Sequence, residues 1–294
     1  MRYFDASLPY FRGNLHLHTT DSDGRLSPEQ AVSLYAAVGY DFVAVTDHWR
    51  RYQGPQRCGN MAVLPGIELD VFPDVAQTVH LVGFGVGEQI DALASRDLNA
   101  QELIDAIRAS GGYAILAHPA WSLNTNTLIC GLQNLTAAEV FNSLSRTPWN
   151  GDRADSANLL DAASAHGVRL PFVASDDSHF YTGEQCGAFT VAQCDTPTAP
   201  AIAQALAQGR SYASQGPKFT RIELDQDELI IECSPVSKIT VYSNLFYVAD
   251  RCQSGTGLTG RRYRIRRTPA AETFVRCQIT DAQGRHAWTS PLSV

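Results

Sequence analysis

The 294-residue sequence has very little lysine and no long apolar run. Lys218 and Lys238 are its only lysines, so a dense lysine clamp for phosphate groups is not expected. No apolar stretch approaches the roughly 20 residues that a membrane helix needs. Residues 1–10 also lack the basic and then apolar pattern of a secretory signal. These absences predict a cytoplasmic protein without a membrane partner.

The cysteines form no Cys-x-x-Cys pair, which argues against a zinc finger, and their odd number suits reduced thiols. Charge is unevenly distributed along the chain, whose net charge is −7. Residues 218–294 hold 11 basic and 8 acidic side chains, whereas the first 217 residues hold 12 basic and 22 acidic ones. Bound cations would offset such an acidic excess. Non-specific binding to nucleic acid is not expected from this part of the chain.

The pattern of elements changes near residue 217. Before it, strand and helix signals alternate, with helices predicted at 28–38, 101–110, 154–166 and 199–208. Ser27, Pro28 and Gln30 form a capping-box start for the first of these helices. After it, short strand-like runs follow one another without a helical period. We predict an α/β domain over 1–217 with a parallel sheet, and a small antiparallel β domain, sandwich-like, over 218–294.

A basic run over 261–267 allows two interpretations. It is either a nucleic-acid patch or an amphipathic strand with Tyr263 and Ile265 inward and arginines in solvent. The period of two favours the strand.

His16 and His18, followed by Asp23, are the most informative local feature. Residues i and i+2 of a strand point to the same face, so the two imidazoles can hold one cation from one side. Turn residues around Ser22 and Gly24 would bring the Asp23 carboxylate back toward the strand end. Exposed histidine pairs also occur by chance. The positions of the other histidines therefore decide whether this pair is a metal site or a chance occurrence.

Most of these lie where buried, strand-like runs end in polar residues. His48, His118 and His179 end or follow such runs, His80 lies within one, and Glu68 follows another. Because a parallel barrel gathers its strand ends around one mouth, we expect these side chains to converge with Asp177. His166 and His286 lack this context and are interpreted as ordinary residues.

Together, these motifs resemble the PHP (polymerase and histidinol phosphatase) metal-dependent hydrolases. The resemblance rests on short motifs at 16–24, 46–48, 66–68, 79–83, 117–119 and 175–179. Within that superfamily the chain is most similar to the CehA/McbA-type branch, through residues 139–142, 209–214 and 287–291.

The resemblance implies a distorted (βα)7 barrel with two or three divalent metals. His16, His18 and Asp177 would hold the first metal, and Glu68 would bridge it to a second. His80 and His118 would complete the second site, and Asp23, His48 and His179 would form a third. Imidazole and carboxylate ligands without thiolate suit Zn, Mn or Fe.

The ligand set predicts hydrolysis of a small phosphomonoester by a metal-bridging hydroxide, with Asp177 or His179 as proton donor and Glu68 as bridge. The same centre would also suit a carbamate, ester or amide, and a Trp- and Leu-rich, Arg-poor pocket would favour that alternative. A non-catalytic metal-bound binding module is a third possibility. Substrate contacts are expected from Arg153, Lys218, Trp121, Trp49 and the segment 142–155. Asp176 either orients an imidazole or caps the next segment.

Overall fold

The computed structural model describes residues 1–268 and 270–294. The strands, in chain order, are β1 (Arg2–Asp5), β2 (Phe11–Asn14), β3 (Phe42–Val45), β4 (Arg57–Cys58), β5 (Met61–Asp74), β6 (Gln77–Phe84), β7 (Tyr113–Leu116), β8 (Ala137–Asn142), β9 (Phe172–Ser175), β10 (Phe189–Ala192), β11 (Ser211–Ser214), β12 (Phe219–Asp225), β13 (Glu228–Ser243), β14 (Cys252–Arg264), β15 (Phe274–Thr280), β16 (His286–Thr289) and β17 (Leu292–Ser293). The helices are α1 (Pro28–Ala37), α2 (Ile90–Leu93), α3 (Ala100–Ala109), α4 (Asn126–Gly131), α5 (Ala157–Ala165) and α6 (Ala199–Ala207). Within the described ranges, every helix is too short or too polar to cross a bilayer.

A ring of strands positions the site. The order β2–β3–β5–β6–β7–β8–β9 is hydrogen-bonded throughout. Just beyond β9 and β2, the Asp177 N–H donates to His16 O and the His18 N–H donates to Ser178 O, each over 2.9 Å. These bonds connect the segment after β9 to the segment after β2 and so close the ring. The residues that follow β2 and β9 are thereby brought side by side at one mouth.

The ring is mixed rather than uniformly parallel. β6 is antiparallel to both β5 and β7, because a tight turn at 75–76 connects β5 directly to β6. Helices make up 16% of the residues and strands 38%, so a helix does not follow every strand. His80 therefore lies within β6, opposite Asp70, rather than at a parallel strand end.

The predicted helices form close to their expected positions. α1 has the predicted capping box, in which Ser27 accepts from the Gln30 N–H and Gln30 from the Ser27 N–H. α3 begins at Asn99 with a second capping box and buries its apolar face against the ring. α5 begins three residues later than predicted. The reason is that residues 154–155 run alongside β8, where the Asn142 N–H donates to Ala154 O.

The strands after residue 217 are antiparallel, and the chain before that point also joins them. β12 pairs with β13 and β13 with β14 as consecutive antiparallel strands, and the far end of β13 also pairs with β15. β1 pairs with β12, and β11 pairs with β16. In both pairs, a strand from residues 1–217 is hydrogen-bonded to a strand from residues 218–294. The basic run follows the amphipathic-strand interpretation: Tyr263 and Ile265 are buried, while Arg262, Arg266 and Arg267 form ion pairs with acidic side chains.

Candidate metal centre

All nine predicted ligand residues converge at one mouth of the ring. The segments after β2, β3, β7 and β9 deliver most of them, while Glu68 lies on β5 and His80 on β6. The donor atoms of eight of them, all except His118, form three overlapping groups, and within each group every atom lies within 4.8 Å of the others. These groups are His16, His18, Glu68 and Asp177; His48, Glu68 and His80; and His18, Asp23, His48 and His179.

The first group is the tightest and is fully buried. His16 Nε2 lies 3.1 Å from His18 Nε2, 3.2 Å from Glu68 Oε2 and 3.1 Å from Asp177 Oδ1. His18 Nε2 lies 3.0 Å from the same Glu68 oxygen and 3.2 Å from the same Asp177 oxygen. Asp177 Oδ1 is buried without a hydrogen-bond partner. Two imidazole nitrogens and two carboxylate oxygens thus face a common point.

Glu68 stands between two groups of imidazoles. Its Oε2 faces His16 and His18, and it also lies 3.3 Å from His48 Nδ1. Its Oε1 lies 2.8 Å from His80 Nδ1 and 3.5 Å from His118 Nε2. One carboxylate oxygen therefore points to each side, which is the arrangement that a bridging ligand requires.

The third group is more open to solvent. Asp23 Oδ1 lies 3.6 Å from His18 Nδ1 and 3.4 Å from His179 Nε2, and Asp23 Oδ2 lies 3.8 Å from His48 Nε2. His18 and His48 each use their second ring nitrogen here. The resemblance assigned His18 to the first position alone and His48 to the third alone, whereas the geometry places both residues in two groups.

The residues present fit divalent cations. The two imidazole nitrogens lie 3.1 Å apart and 3.0–3.2 Å from the two carboxylate oxygens, and such close donors need a proton or a cation between them. The donors are imidazole nitrogens and carboxylate oxygens, a set that suits Zn, Mn or Fe.

Electrostatics keep the carboxylates ionised. Burial alone would raise the pKa values of Glu68 and Asp177, but the surrounding imidazoles outweigh it and hold both pKa values well below the usual range. Burial opposes protonation of His179, yet Asp177 and Asp23 raise the pKa of this imidazole to about 9. Burial lowers the pKa of His48. Against the effect of burial, the ionised carboxylates also raise the pKa of His16 and of His179, so a cation that binds here takes the place of imidazole protons.

Two of the predicted ligands hold strained backbone conformations. His118 has φ of +27° and Asp177 has φ of +54°, in a region that non-glycine residues seldom adopt. Such conformations persist only where the surrounding structure enforces them, and they concentrate at functional sites. Both residues follow the end of a strand, where the chain turns to aim the side chain into the mouth.

Buried polar groups that sequence reasoning missed support the ligands. Glu139 on β8 accepts from His16 Nδ1 over 2.9 Å through Oε1, and its Oε2 accepts the His118 N–H and an Asn142 amide N–H. The Ser122 hydroxyl lies 2.9 Å from His118 Nδ1. A glutamate inside the apolar run of β8 was the available signal for this role.

Asp176 follows the capping alternative. Its carboxylate accepts backbone N–H groups of residues 186–188 and the hydroxyls of Tyr35 and Ser143. Burial raises the pKa of Asp176 to about 6. Asp47 similarly accepts from the Thr19 N–H and hydroxyl, which braces the turn after His18. Both carboxylates therefore stabilise the backbone around the site through hydrogen bonds, without contact to a cation.

A cavity of about 190 Å³ opens onto the cluster. Trp121 lines it, as predicted, and the segment 142–155 contributes Leu144, Ser145 and Asn150. Arg153 does not line it and is exposed, and Lys218 lines a separate concavity beside Arg12 and Arg285. The two basic contacts expected from sequence are therefore wrong for this cavity. Trp49 instead donates its indole N–H to Asp70.

Comparison with known proteins gives a fold likeness and no closer relative. No protein-family model matches the chain, and no curated protein matches it. A solved two-domain protein from Bacteroides vulgatus, described as containing a predicted PHP-like metal-dependent phosphoesterase, superposes with a TM-score of 0.57 at 14% identity. The superposition covers 98% of this chain and 97% of that one. The two proteins therefore share an overall fold.

Two further solved structures resemble the chain only over part of its length. An amidohydrolase from Chromobacterium violaceum, with bound sulfate and no metal, has a TM-score of 0.41 at 18% identity, covering 58% of this chain and 89% of that one. A metal-dependent phosphoesterase from Bifidobacterium adolescentis has a TM-score of 0.39 at 17% identity, covering 57% and 87%.

Proposed function

We propose that the protein is a metal-dependent hydrolase of small phosphomonoesters. The observation that carries the proposal is Glu68, whose two oxygens face two separate imidazole groups inside one cavity. The eight residues of the three groups, with His118, would hold two or three divalent cations. Bound cations of this kind lower the pKa of water and neutralise charge on phosphoryl oxygens.

Charge supports an anionic substrate. Divalent cations bound there would offset the negative charge of Glu68, Asp23 and Asp177, and their open coordination positions would accept phosphoryl oxygens even without arginine. The Bacteroides vulgatus protein that shares this fold is itself described as containing a phosphoesterase.

The side chains that line the cavity would have different roles in proton transfer, metal binding and substrate positioning. His179 presents Nε2 toward Asp23 and the cavity while its Nδ1 lies 2.8 Å from Asp177 O, so with only the first two positions loaded it is the better placed residue to give a proton to the leaving oxygen, and with the third position loaded it would be a ligand instead. Asp177 is held ionised and is buried among imidazoles. It would therefore bind a metal ion rather than donate a proton. Ser145 and Asn150 would position the substrate by hydrogen bonds.

The finer family assignment is part of the same proposal. We infer that the chain is a PHP-superfamily member of the CehA/McbA-type branch, and that the ring of strands is its distorted (βα)7 barrel. Residues 1–217 and 218–294 would be its two domains, and the cytoplasm its location. The motifs at the ring mouth and the fold likeness support this assignment.

Purified protein, stripped with a chelator and reloaded with Zn, Mn or Fe, tests the proposal. Elemental analysis should find at least two metal ions per chain, and a panel of sugar phosphates and nucleotides should include a substrate. Glu68→Gln should lower both metal content and turnover. Metal-replete protein that turns over no phosphomonoester would remove the proposal.

A second candidate, hydrolysis of a carbamate, ester or amide, is favoured by the cavity wall. Among the described residues that line the cavity there is no Arg or Lys, whereas Trp121 and Leu144 are present. The same panel should therefore include aryl carbamates, carboxylic esters and amides. Metal binding without hydrolysis of either class would instead indicate a binding module.

A further inference from the structure

A second concavity adjoins the metal cavity. It has a volume of about 560 Å³ and lies between the β5–β6 hairpin and the loop that follows His118. Phe72 and Val75 line it from the hairpin, and Trp121 and Leu123 line it from the loop. Trp121 also lines the metal cavity, so the two spaces meet at this indole. We call the second concavity the hairpin groove.

The hairpin groove exposes large apolar side chains. Phe72 is 69% exposed, Leu123 is 49% exposed and Val75 is fully exposed. Single exposed apolar residues are normal on a protein surface, but a cluster beside a candidate active site indicates a binding surface.

The groove has a fixed position relative to the candidate ligands. The Thr78 N–H donates to Ser122 O over 3.2 Å, and Asn124 Nδ2 donates to Thr78 O over 2.6 Å. These bonds join the two walls. Ser122 also contacts His118 through its hydroxyl, and the Trp121 ring packs on the imidazoles of His80 and His118 at centroid distances of 5.8 and 4.9 Å.

Size and charge indicate what the groove holds. The metal cavity is smaller than the ~300–1,000 Å³ of ordinary ligand pockets, so it would accept only the reacting end of a substrate. Asp74 is the one charged side chain among the described groove-lining residues. The Asp74 carboxylate would repel an anionic group, whereas an apolar group would bury carbon surface against the exposed apolar side chains.

On the basis of the proposed function, we propose that the hairpin groove binds an aryl or alkyl group of the substrate whose scissile bond lies at the metal centre. Hydrolysis would then release an apolar alcohol or phenol: water supplies OH to phosphorus, and the leaving oxygen takes up a proton. The groove thereby selects aryl and alkyl phosphates over sugar phosphates of the same charge.

Phenyl phosphate and its 4-ethyl and 4-butyl derivatives test this selection with the metal-replete full-length protein. Because a buried methylene contributes about 0.8 kcal/mol, kcat/KM should rise roughly four-fold for each methylene that enters the groove. The double variant Phe72→Ser/Val75→Ser should flatten this series. Phe246→Ser, which removes a fully exposed phenylalanine from the connection after β13, is the control and should leave the series unchanged.

The affinities of methyl-, ethyl- and butylphosphonate for the same proteins, measured by calorimetry, distinguish the groove assignment from the phosphomonoesterase proposal. Turnover that does not depend on the chain length of the substrate would overturn the groove assignment and leave the phosphomonoesterase proposal standing. Absent turnover, with phosphonate affinity that rises with chain length and is lost in the double variant, would overturn the phosphomonoesterase proposal only. A dimer that the double variant converts to monomer would show that a second copy occupies the groove, and would also overturn the assignment.

Discussion

His16 Nδ1 lies 2.9 Å from Glu139 Oε1, with both side chains fully buried. The imidazole N–H donates to the carboxylate, which leaves Nε2 free to face His18, Glu68 and Asp177. A carboxylate behind an imidazole fixes the tautomer and the direction of the ring and makes it a better metal ligand. Glu139 is therefore a positioning residue for the first ligand group.

Glu139→Gln should weaken metal binding without unfolding the protein. The amide keeps the size of the side chain but loses the charge that favours the Nδ1–H tautomer of His16. Loss of such a partner lowers metal affinity by roughly 10- to 100-fold, which competition with a chromogenic chelator measures. Glu102→Gln, at the exposed start of α3, is the matched control. Equal affinities for wild type and Glu139→Gln would contradict the assigned role.

Metal removal should lower thermal stability. Ligand binding to the folded state alone stabilises it by about 2.7 kcal/mol at a hundred times the Kd. We expect a chelator to lower the Tm and Zn or Mn to restore it, measured by scanning calorimetry. The double variant His16→Ala/His18→Ala should show little response to either treatment. A Tm that chelation does not move would argue against a metal site.

A buried ion pair should contribute strongly to stability away from the site. Arg276 on β15 forms a two-bond pair with Asp161 on α5 at 2.5 Å, and its guanidinium lies 4.1 Å from the Tyr242 ring centroid. Asp161→Ala leaves a guanidinium that is only 1% exposed without its partner. Breaking such a pair costs about 3–5 kcal/mol, which urea unfolding measures.

The surface pair of Arg221 and Glu223 is the control for this measurement, since exposed pairs contribute about 1 kcal/mol or less. Arg221→Ala should therefore have a small effect on the free energy of unfolding. Comparable effects of Asp161→Ala and Arg221→Ala would show that the buried pair has no special importance.

Stability should also depend on His286 as the pH falls. Burial lowers the pKa of this imidazole below its ordinary value of 6.5, and Lys238 lowers it further. The folded state therefore favours the neutral ring, so the stabilisation is present above about pH 6.5 and is lost as the pH falls through the lowered pKa. His286→Gln should make the free energy of unfolding fall less steeply between about pH 7 and pH 5. Parallel curves for the two proteins would refute this.

Local elements were predictable because their signals are local. The capping box at Ser27 predicted the start of α1, and α6 forms within one residue of its predicted range. The strand predicted in the basic run at 261–267 begins earlier than expected. β14 already starts at Cys252, and its first half is a Gly-, Ser- and Thr-rich stretch that resembles a loop in sequence. Pairing with β13 imposes the extended conformation there, and cross-strand pairing is invisible in the strand's own residues.

The convergence of the nine site residues was also predictable, because each has a distinctive residue type at or near a buried strand. Trp121 and the segment 142–155 were also expected beside the substrate and line the cavity, but the two basic residues expected there do not. Arg153 and Lys218 were chosen for their charge, yet the cavity wall is made by Leu144, Ser145 and Asn150. The path of the loop after β8 decides which of its side chains face the cavity.

The sequence by itself determined which side chains are available to the site: imidazoles and carboxylates at strand ends, almost no lysine, and an acidic excess before residue 218. Tertiary structure alone decided that Glu68 lies between two imidazole groups, that Glu139 braces His16, and that Trp121 joins a cavity to an apolar groove. Residue types and their spacing along a strand are local properties of the chain. Which atoms of distant segments face one another is decided only when the ring of strands closes.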